Sequence, residues 1–440
     1  MFNFRISMNK KILALAIPSI ISNITVPLLG LVDVTIVGHL GSPLYIGAIA
    51  VGGMLFNMIY WLFAFLRMGT SGLTSQAYGK RDLQDVATLF IRAMAVGFGI
   101  ALLLILLQGP ILHIAFSLIN TTEDIRALAT LYFRICIFGA PAVLGLYGFT
   151  GWFVGMQNSR FPMYIAIIQN LVNIMASLCL VFIWNMGVSG VAFGTLLAQY
   201  AGLFMAFMLW HRYYKRLWRY IDWRKIGQID ALRRFFILNR DIFLRTLCII
   251  AVTTFFTSKG AEKGEVILAV NTLLMQLFTL FSYIMDGFAY AGEALSGRYI
   301  GARNHIELTR MIRQLFMWGF GLSLLFTLLY AIGGNSFLSL LTNEREVLQA
   351  AEGYFYWTLL IPLTGVAAFL WDGVYIGATA SRQMLYSIAI ATALFFTLYY
   401  ISEPFFGNHA LWLAFVIYLF SRGIVLSLFA PAYIIRKEFY

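Results

Sequence analysis

Charge is scarce in this chain: of 440 residues only 11% are Asp, Glu, Lys or Arg, against 61% hydrophobic. Soluble domains run to about 25% charged and about 45–50% apolar. A water-soluble fold of this length would have too little polar surface to cover it, so the bilayer has to be its solvent. Cysteine is almost missing. Cys136, Cys179 and Cys248 each sit in an apolar run and no Cys-x-x-Cys occurs, which argues against a disulfide framework and a thiolate zinc site. The five histidines lack metal-ligand spacing. No His-Glu-x-x-His, Gly-x-Ser-x-Gly or nucleotide-binding loop occurs, so no enzymatic activity, cofactor or resident metal is expected.

What the chain has instead is a series of long apolar runs. Breaking it at polar and Gly/Pro clusters gives twelve, near 12–38, 45–71, 86–109, 127–156, 161–184, 187–211, 237–258, 264–296, 308–333, 349–378, 383–404 and 409–434. A spanning helix needs about 20 residues, more when tilted, and every run is long enough. The first is too long for the apolar region of a signal peptide, which is about 7–15 residues. The reading is therefore an all-α integral membrane protein with twelve transmembrane helices.

The net charge of +12 is a matter of topology rather than of nucleic acid. With the N-terminus inside, 23 of the 31 basic residues fall in inside segments and four (Arg126, Lys259, Lys263 and Arg345) outside. The inside set begins with Arg5, Lys10 and Lys11, continues through nine between Arg212 and Arg240, and ends with Arg436 and Lys437. Arg67, Arg134, Arg245 and Arg422 lie within spans, where they either snorkel or pair. Such asymmetry puts both termini in the cytoplasm.

The chain also repeats at an offset of 222 residues. Gly79-x-Arg81 matches Gly301-x-Arg303, and Gly155, Ser159 and Arg160 match Gly377, Ser381 and Arg382. Six helices per half is an even number, so the halves are parallel repeats about a pseudo-two-fold along the membrane normal. The expected organisation is an N-terminal six-helix lobe over 1–211, a basic amphipathic cytoplasmic linker over 212–236 and a C-terminal lobe over 237–440. The linker is rich in Trp and Tyr and is expected to lie along the inner membrane surface, either as a plain connector or as a lipid or partner site.

Ionisable residues inside a membrane are functional candidates by default. Asp33 on the first helix is the foremost, with no basic neighbour on its own helix and with Pro27 six residues earlier as a bending point. Burial favours its neutral acid, and water or a cation its carboxylate, so it can act as a protonatable switch. At about 1.5 Å rise per residue, Asp33 lies about 8 Å below the outer helix end, Ser177 about 10 Å, Thr195 about 12 Å and Asn173 about 16 Å. The four side chains share one outer-half layer, suited to a proton or to Na+ at Asp33, Asn173 and Thr195, or to interhelical hydrogen bonding alone. The C-terminal half has its own charges, Arg245, Asp286, Glu293 and Asp372 among them. Arg245 with Asp286 or Asp372 is a natural compensating pair, and the set is either a structural network or part of coupling.

Several stretches, taken together and in order, resemble the multidrug and toxic compound extrusion (MATE) family. They are IPSIISNITVPLLGLVDVTIVGHLG, GMQNSRFP, NLVNI followed by GVSGVAFGTLLAQY, YIMDGFAYAGEALSGRYIGAR and WDGVYIGATASR. The last two, with NRDIFLR, resemble the branch named for the DNA-damage-inducible protein F. The resemblance implies a bacterial inner-membrane exporter of organic, often cationic and amphipathic compounds, working by alternating access against inward H+ or Na+. It also implies that Asp33 is the coupling carboxylate, Pro27 the bending point, and Asn173 and Thr195 its hydrogen-bonding or ligating companions. Family members often carry a second acid where this chain has Ser177; a single carboxylate favours H+ over Na+. A monomer is expected, with small organic substrates and the lipid bilayer as partners and no nucleic acid. A flippase of lipids or lipid-linked oligosaccharides is the alternative.

Overall fold

The computed structural model describes residues 7–38, 43–119, 122–342 and 344–435. Arg5, Arg436 and Lys437, which entered the topology count, lie outside them. Seventeen α-helices follow one another, with no β-strand among the described residues. They are α1 (Met8–Gly38), α2 (Pro43–Leu62), α3 (Phe65–Lys80), α4 (Leu83–Leu106), α5 (Gln108–Leu118), α6 (Glu123–Cys136), α7 (Ala140–Gly155), α8 (Arg160–Leu178) and α9 (Gly187–Tyr214). Then come α10 (Trp223–Ile226), α11 (Ile229–Glu262), α12 (Glu265–Gly301), α13 (His305–Leu341), α14 (Arg345–Glu352), α15 (Phe355–Gly377), α16 (Ser381–Phe406) and α17 (Asn408–Ala430). Helices are what lipid demands, because every backbone N–H and C=O must be satisfied within its own segment.

Ten helical stretches among the described residues are long and apolar enough to cross a membrane. The two other expected runs, 12–38 and 237–258, fall in α1 and α11, of 31 and 34 residues. Several runs are broken rather than straight. Backbone turns at Phe63 and Ala64 separate α2 from α3, a short 3₁₀ turn at Ile137–Gly139 joins α6 to α7, and Gly353–Tyr354 interrupt the run expected over 349–378. The stretch after α9 is mostly helical, with a 3₁₀ segment at Lys215–Tyr220, then α10, and α11 starting at Ile229.

Contacts divide the chain into two compact units, residues 21–235 and residues 1–20 with 236–440. In the first, α3 and α4 pack on α7, and α8 lies along α9. Its core includes an aromatic group of Phe90, Phe149, Trp152, Phe153 and Trp210, with the Trp152 indole donating to the Val86 carbonyl at 3.0 Å. In the second unit α12 packs closely on α15, and α16 on α17. The first turns of α1 belong here: Lys11 Nζ donates to the Tyr299 hydroxyl at 3.2 Å. Asn271 and Asn408 form a reciprocal amide pair, 2.9 Å each way, and Trp412 adds a third bond to Asn271.

The 222-residue repeat is visible in the backbone of each unit. Arg81 and Arg303 both have positive φ (60° and 52°), as do Gln157 and Thr379 (65° and 53°). Asp82 caps α4 by accepting from the Asp85 N–H, and Asn304 caps α13 by accepting from the Glu307 N–H. The repeated sequence motifs therefore mark helix-ending turns and helix-starting caps. Between them the helices touch through glycine. A Cβ added to Gly151 on α7 would lie 2.3 Å from the carbonyl oxygen of Arg67 on α3. One added to Gly373 on α15 would lie 2.0 Å from that of Ala289 on α12, and both members of this pair stand 222 residues beyond the first.

Candidate ion-coupling site

Asp33 is buried in the last two turns of α1, within the first unit. Its Oδ2 accepts a hydrogen bond from the Thr195 hydroxyl on α9 at 3.2 Å. That hydroxyl in turn accepts from Asn173 Nδ2 on α8, also at 3.2 Å. Three helices thus bring an acid, an alcohol and an amide into one chain of hydrogen bonds. Ser177 is one helical turn above Asn173 and fully buried beside Gly194, where an added Cβ would meet its hydroxyl at 2.1 Å. Gly194 is what lets α8 and α9 approach closely at this level.

The chain of bonds is incomplete. Asp33 Oδ1, Asn173 Oδ1 and the Ser177 hydroxyl are buried without a hydrogen-bond partner among the described residues. Buried polar atoms in this condition are costly and uncommon in settled cores. Nor does Asp33 form an ion pair among the described residues, whose ion pairs include no partner for it. An acid in low dielectric with spare oxygens and no counter-charge can take up a proton or accept a small hard cation. No group of three or more His, Cys, Asp or Glu side chains suited to a metal ion occurs among the described residues. A cation held here would rest on one carboxylate and neutral oxygens.

Sequence reasoning missed two neighbours, Tyr132 and Cys136 on α6, both buried and both within electrostatic reach of Asp33. They sit in an apolar run where nothing separates a site-lining phenol from a packing aromatic. Cys136 Sγ also contacts the Ala192 carbonyl on α9 at 3.7 Å, and an added Cβ on Gly52 of α2 would press on the Tyr132 ring. Pro27 lies inside α1, two turns before Asp33 and half-buried.

The second unit holds a different kind of charge site. Arg245 on α11 and Arg422 on α17 both donate to Oδ2 of Asp372 on α15, the latter at 2.6 Å, and all three are buried. Of the two partners expected for Arg245, the structure shows Asp372. Arg422 joins from a helix that sequence reasoning had left open between snorkelling and pairing. Asp286 and Glu293 lie two turns apart on α12, Glu293 fully buried. Nearer the end of the unit that carries the helix-ending turns, Asp241 accepts from Arg240 at 2.8 Å and from the Ser381 hydroxyl at 2.9 Å.

Comparison with known proteins points to one family and one fold. The MatE family model matches twice, over residues 18–179 and 242–401, and the two matches end 222 residues apart. DNA damage-inducible protein F of Escherichia coli (strain K12) is 38% identical over 424 residues, 96% of this chain and 92% of that protein. A probable multidrug resistance protein NorM of Acinetobacter baylyi is 23% identical, covering 70% of this chain and 69% of its own length. Among solved structures, a MATE protein in the bent conformation superposes with a TM-score of 0.83 at 21% identity, over 96% of this chain and 95% of that one. This last likeness shows the fold, the twelve-helix MATE architecture expected from the hydrophobic runs. By family model, relative and fold alike, the chain belongs to the MatE (multidrug and toxic compound extrusion) family of multi-pass membrane transporters, in the branch of DNA damage-inducible protein F.

Proposed function

We propose that this protein exports small organic, often cationic and amphipathic compounds, with the inward passage of a cation through Asp33 supplying the driving force. The observation that carries this reading is the buried Asp33–Thr195–Asn173 chain, which has acceptor oxygens to spare and, among the described residues, no counter-charge paired with it. Relatives named for multidrug resistance support the substrate class. A proton is favoured over Na+, because Asp33 is the lone carboxylate of its layer and Ser177 stands where a second acid would strengthen a Na+ site. Pro27 supplies a weak point in the backbone of α1, where protonation of Asp33 can be converted into helix bending. Substrate chemistry is left untouched by the protein, which acts as a monomeric pump in the bacterial inner membrane with both termini cytoplasmic.

Purified protein in proteoliposomes, loaded with a fluorescent organic cation, tests this with pH and Na+ gradients imposed separately. Movement driven by the pH gradient alone is expected. Movement driven only by Na+ would overturn the choice of ion. No movement under either gradient, together with translocation of labelled lipid headgroups, would point to a flippase.

A further inference from the structure

The basic segment that follows α9 is fixed in place as a presented surface, and the transport reading makes no use of it. Between Arg212 and Lys225 it carries six basic residues (Arg212, Lys215, Arg216, Arg219, Arg224 and Lys225) and one acid, Asp222. Asp222 is spent locally, accepting from Gln84 Nε2 at 2.9 Å and from the Arg224 N–H at 3.0 Å. Among the described residues none of the six cations forms an ion pair with an acid. All six side chains are exposed.

The backbone beneath them is held firmly. Leu217 is buried in the aromatic core of the first unit, and Trp218 meets Trp210 edge-on at 5.7 Å. Arg92, itself buried, reaches from α4 to the carbonyls of Lys225 (2.8 Å) and Ile226 (3.4 Å), closing the end of α10. Lys225 Nζ bonds Gln84 Oε1 at 3.1 Å. A cavity of about 540 Å³ opens beside Gln84, walled by Arg219, Tyr220, Asp222, Trp223 and Arg224. Trp218 and Trp223 remain 54% and 66% exposed despite the anchoring, with Tyr213 and Tyr220 exposed beside them.

Exposed Trp and Tyr next to unpaired Arg and Lys, directly after a spanning helix, is the composition of a membrane–water interface. Anionic headgroups supply the charge that this surface lacks. We infer that the segment 212–225 is a binding surface for an anionic phospholipid, its phosphate seated between Arg219 and Arg224 in the cavity and its acyl chains against the exposed tryptophans. Arg219 and Arg224 are the specificity-determining residues, and Arg92 is a positioning residue that holds the α10 end of the cavity.

The test uses the full-length protein in phosphatidylcholine bilayers containing a trace of spin-labelled phosphatidylglycerol or, separately, spin-labelled phosphatidylcholine. The motionally restricted fraction of each label gives the relative association. Preference for the glycerol headgroup lipid is expected, falling about tenfold or more in the triple variant Arg216→Gln/Arg219→Gln/Arg224→Gln. The three side chains are exposed, so the variant should fold; raising the salt concentration with the wild-type protein gives an independent arm in which the preference must also shrink. Equal association of the two lipids with the wild-type protein, or a preference that survives both the substitutions and salt, would overturn the inference. Displacement of the labelled phosphatidylglycerol by inorganic phosphate at matched ionic strength would reassign the cavity to a soluble anion and overturn it equally.

Discussion

Replacing Gly151 and Gly373 by alanine, one at a time, probes whether the repeat seen in the sequence is a repeat in packing. A methyl group on Gly151 would lie 2.3 Å from the Arg67 carbonyl oxygen and 3.1 Å from its carbonyl carbon; on Gly373 it would lie 2.0 Å and 2.7 Å from the same atoms of Ala289. The obstructing atoms are backbone, which cannot rotate away as a side-chain tip can. Relief requires α7 to move off α3, or α15 off α12, by about 1 Å, and that loosens contacts along the whole crossing. Overpacking of this kind costs about 1–3 kcal/mol and sometimes more. Gly99 on α4 is the control, because nothing lies within 4 Å of its added Cβ. There alanine replaces the poorer helix former, and a gain of up to about 1 kcal/mol is expected. Unfolding in mixed micelles, titrated with a denaturing detergent and followed by tryptophan fluorescence, should rank the proteins as Gly99→Ala at or above wild type, then Gly151→Ala, then Gly373→Ala. Wild-type stability in either crossing variant, or an equal loss at Gly99, would refute the argument from close approach.

Two further outcomes are expected. Asp33→Asn keeps an oxygen for the Thr195 hydroxyl, so the protein should fold and reach the membrane while gradient-driven accumulation in proteoliposomes disappears; normal accumulation would remove Asp33 from the mechanism. Asp372→Asn leaves Arg245 and Arg422 buried without their shared carboxylate, and a loss of about 3–5 kcal/mol is expected in the same detergent titration. Partial restoration in the double variant Asp372→Asn/Arg422→Met, which still leaves Arg245 without its carboxylate, would assign that part of the loss to the orphaned Arg422 guanidinium.

The spans were legible because a membrane helix writes a long, continuous signal. All twelve runs lie on helices, and even the first and seventh, in α1 and α11, are covered. The repeat was legible from Gly79-x-Arg81 and its partner, although the physical reason was not: Arg81 and Arg303 adopt positive φ where the helix must end, a property of the turn rather than of the side chain. Short elements were not legible. The eleven residues of α5 and the four of α10 carry no periodic pattern long enough to stand out. Depth arithmetic brought Asn173 and Thr195 to the level of Asp33 because helix rise is a constant of the backbone. It could not supply azimuth, so it said nothing of Tyr132 and Cys136 on α6, which lie within electrostatic reach of Asp33. The same gap hid Arg422, since two charges 50 residues apart share no local pattern and only packing of α15 on α17 joins them.

Duplication makes the two units comparable residue by residue, and the comparison bears on how many ions move per cycle. Shifted by 222, Asp33, Asn173 and Ser177 become Phe255, Phe395 and Tyr399. There Phe255 lies 5.9 Å from Phe395 and 5.1 Å from Tyr399, ring edge to ring face. The scaffold therefore fills these positions with hydrogen-bonding groups in one unit and with packed aromatic rings in the other. Of the second unit's buried carboxylates, Asp241, Glu293 and Asp372, the last stands where the first unit has Thr150, and two guanidiniums already neutralise it. Its proton would have to displace two charge-assisted hydrogen bonds, whereas a proton arriving at Asp33 displaces at most one from a hydroxyl. On the proposed coupling through Asp33, then, Asp372 adds no second proton to the cycle. With the membrane potential clamped at zero, one proton per substrate yields about tenfold accumulation per unit of pH difference, since one unit is worth about 1.36 kcal/mol. Two protons would yield about a hundredfold. Measured in proteoliposomes across several imposed gradients, a logarithmic slope of one is the expected result, and a slope of two would require Asp372 or another acid of the second unit to exchange protons despite its partners.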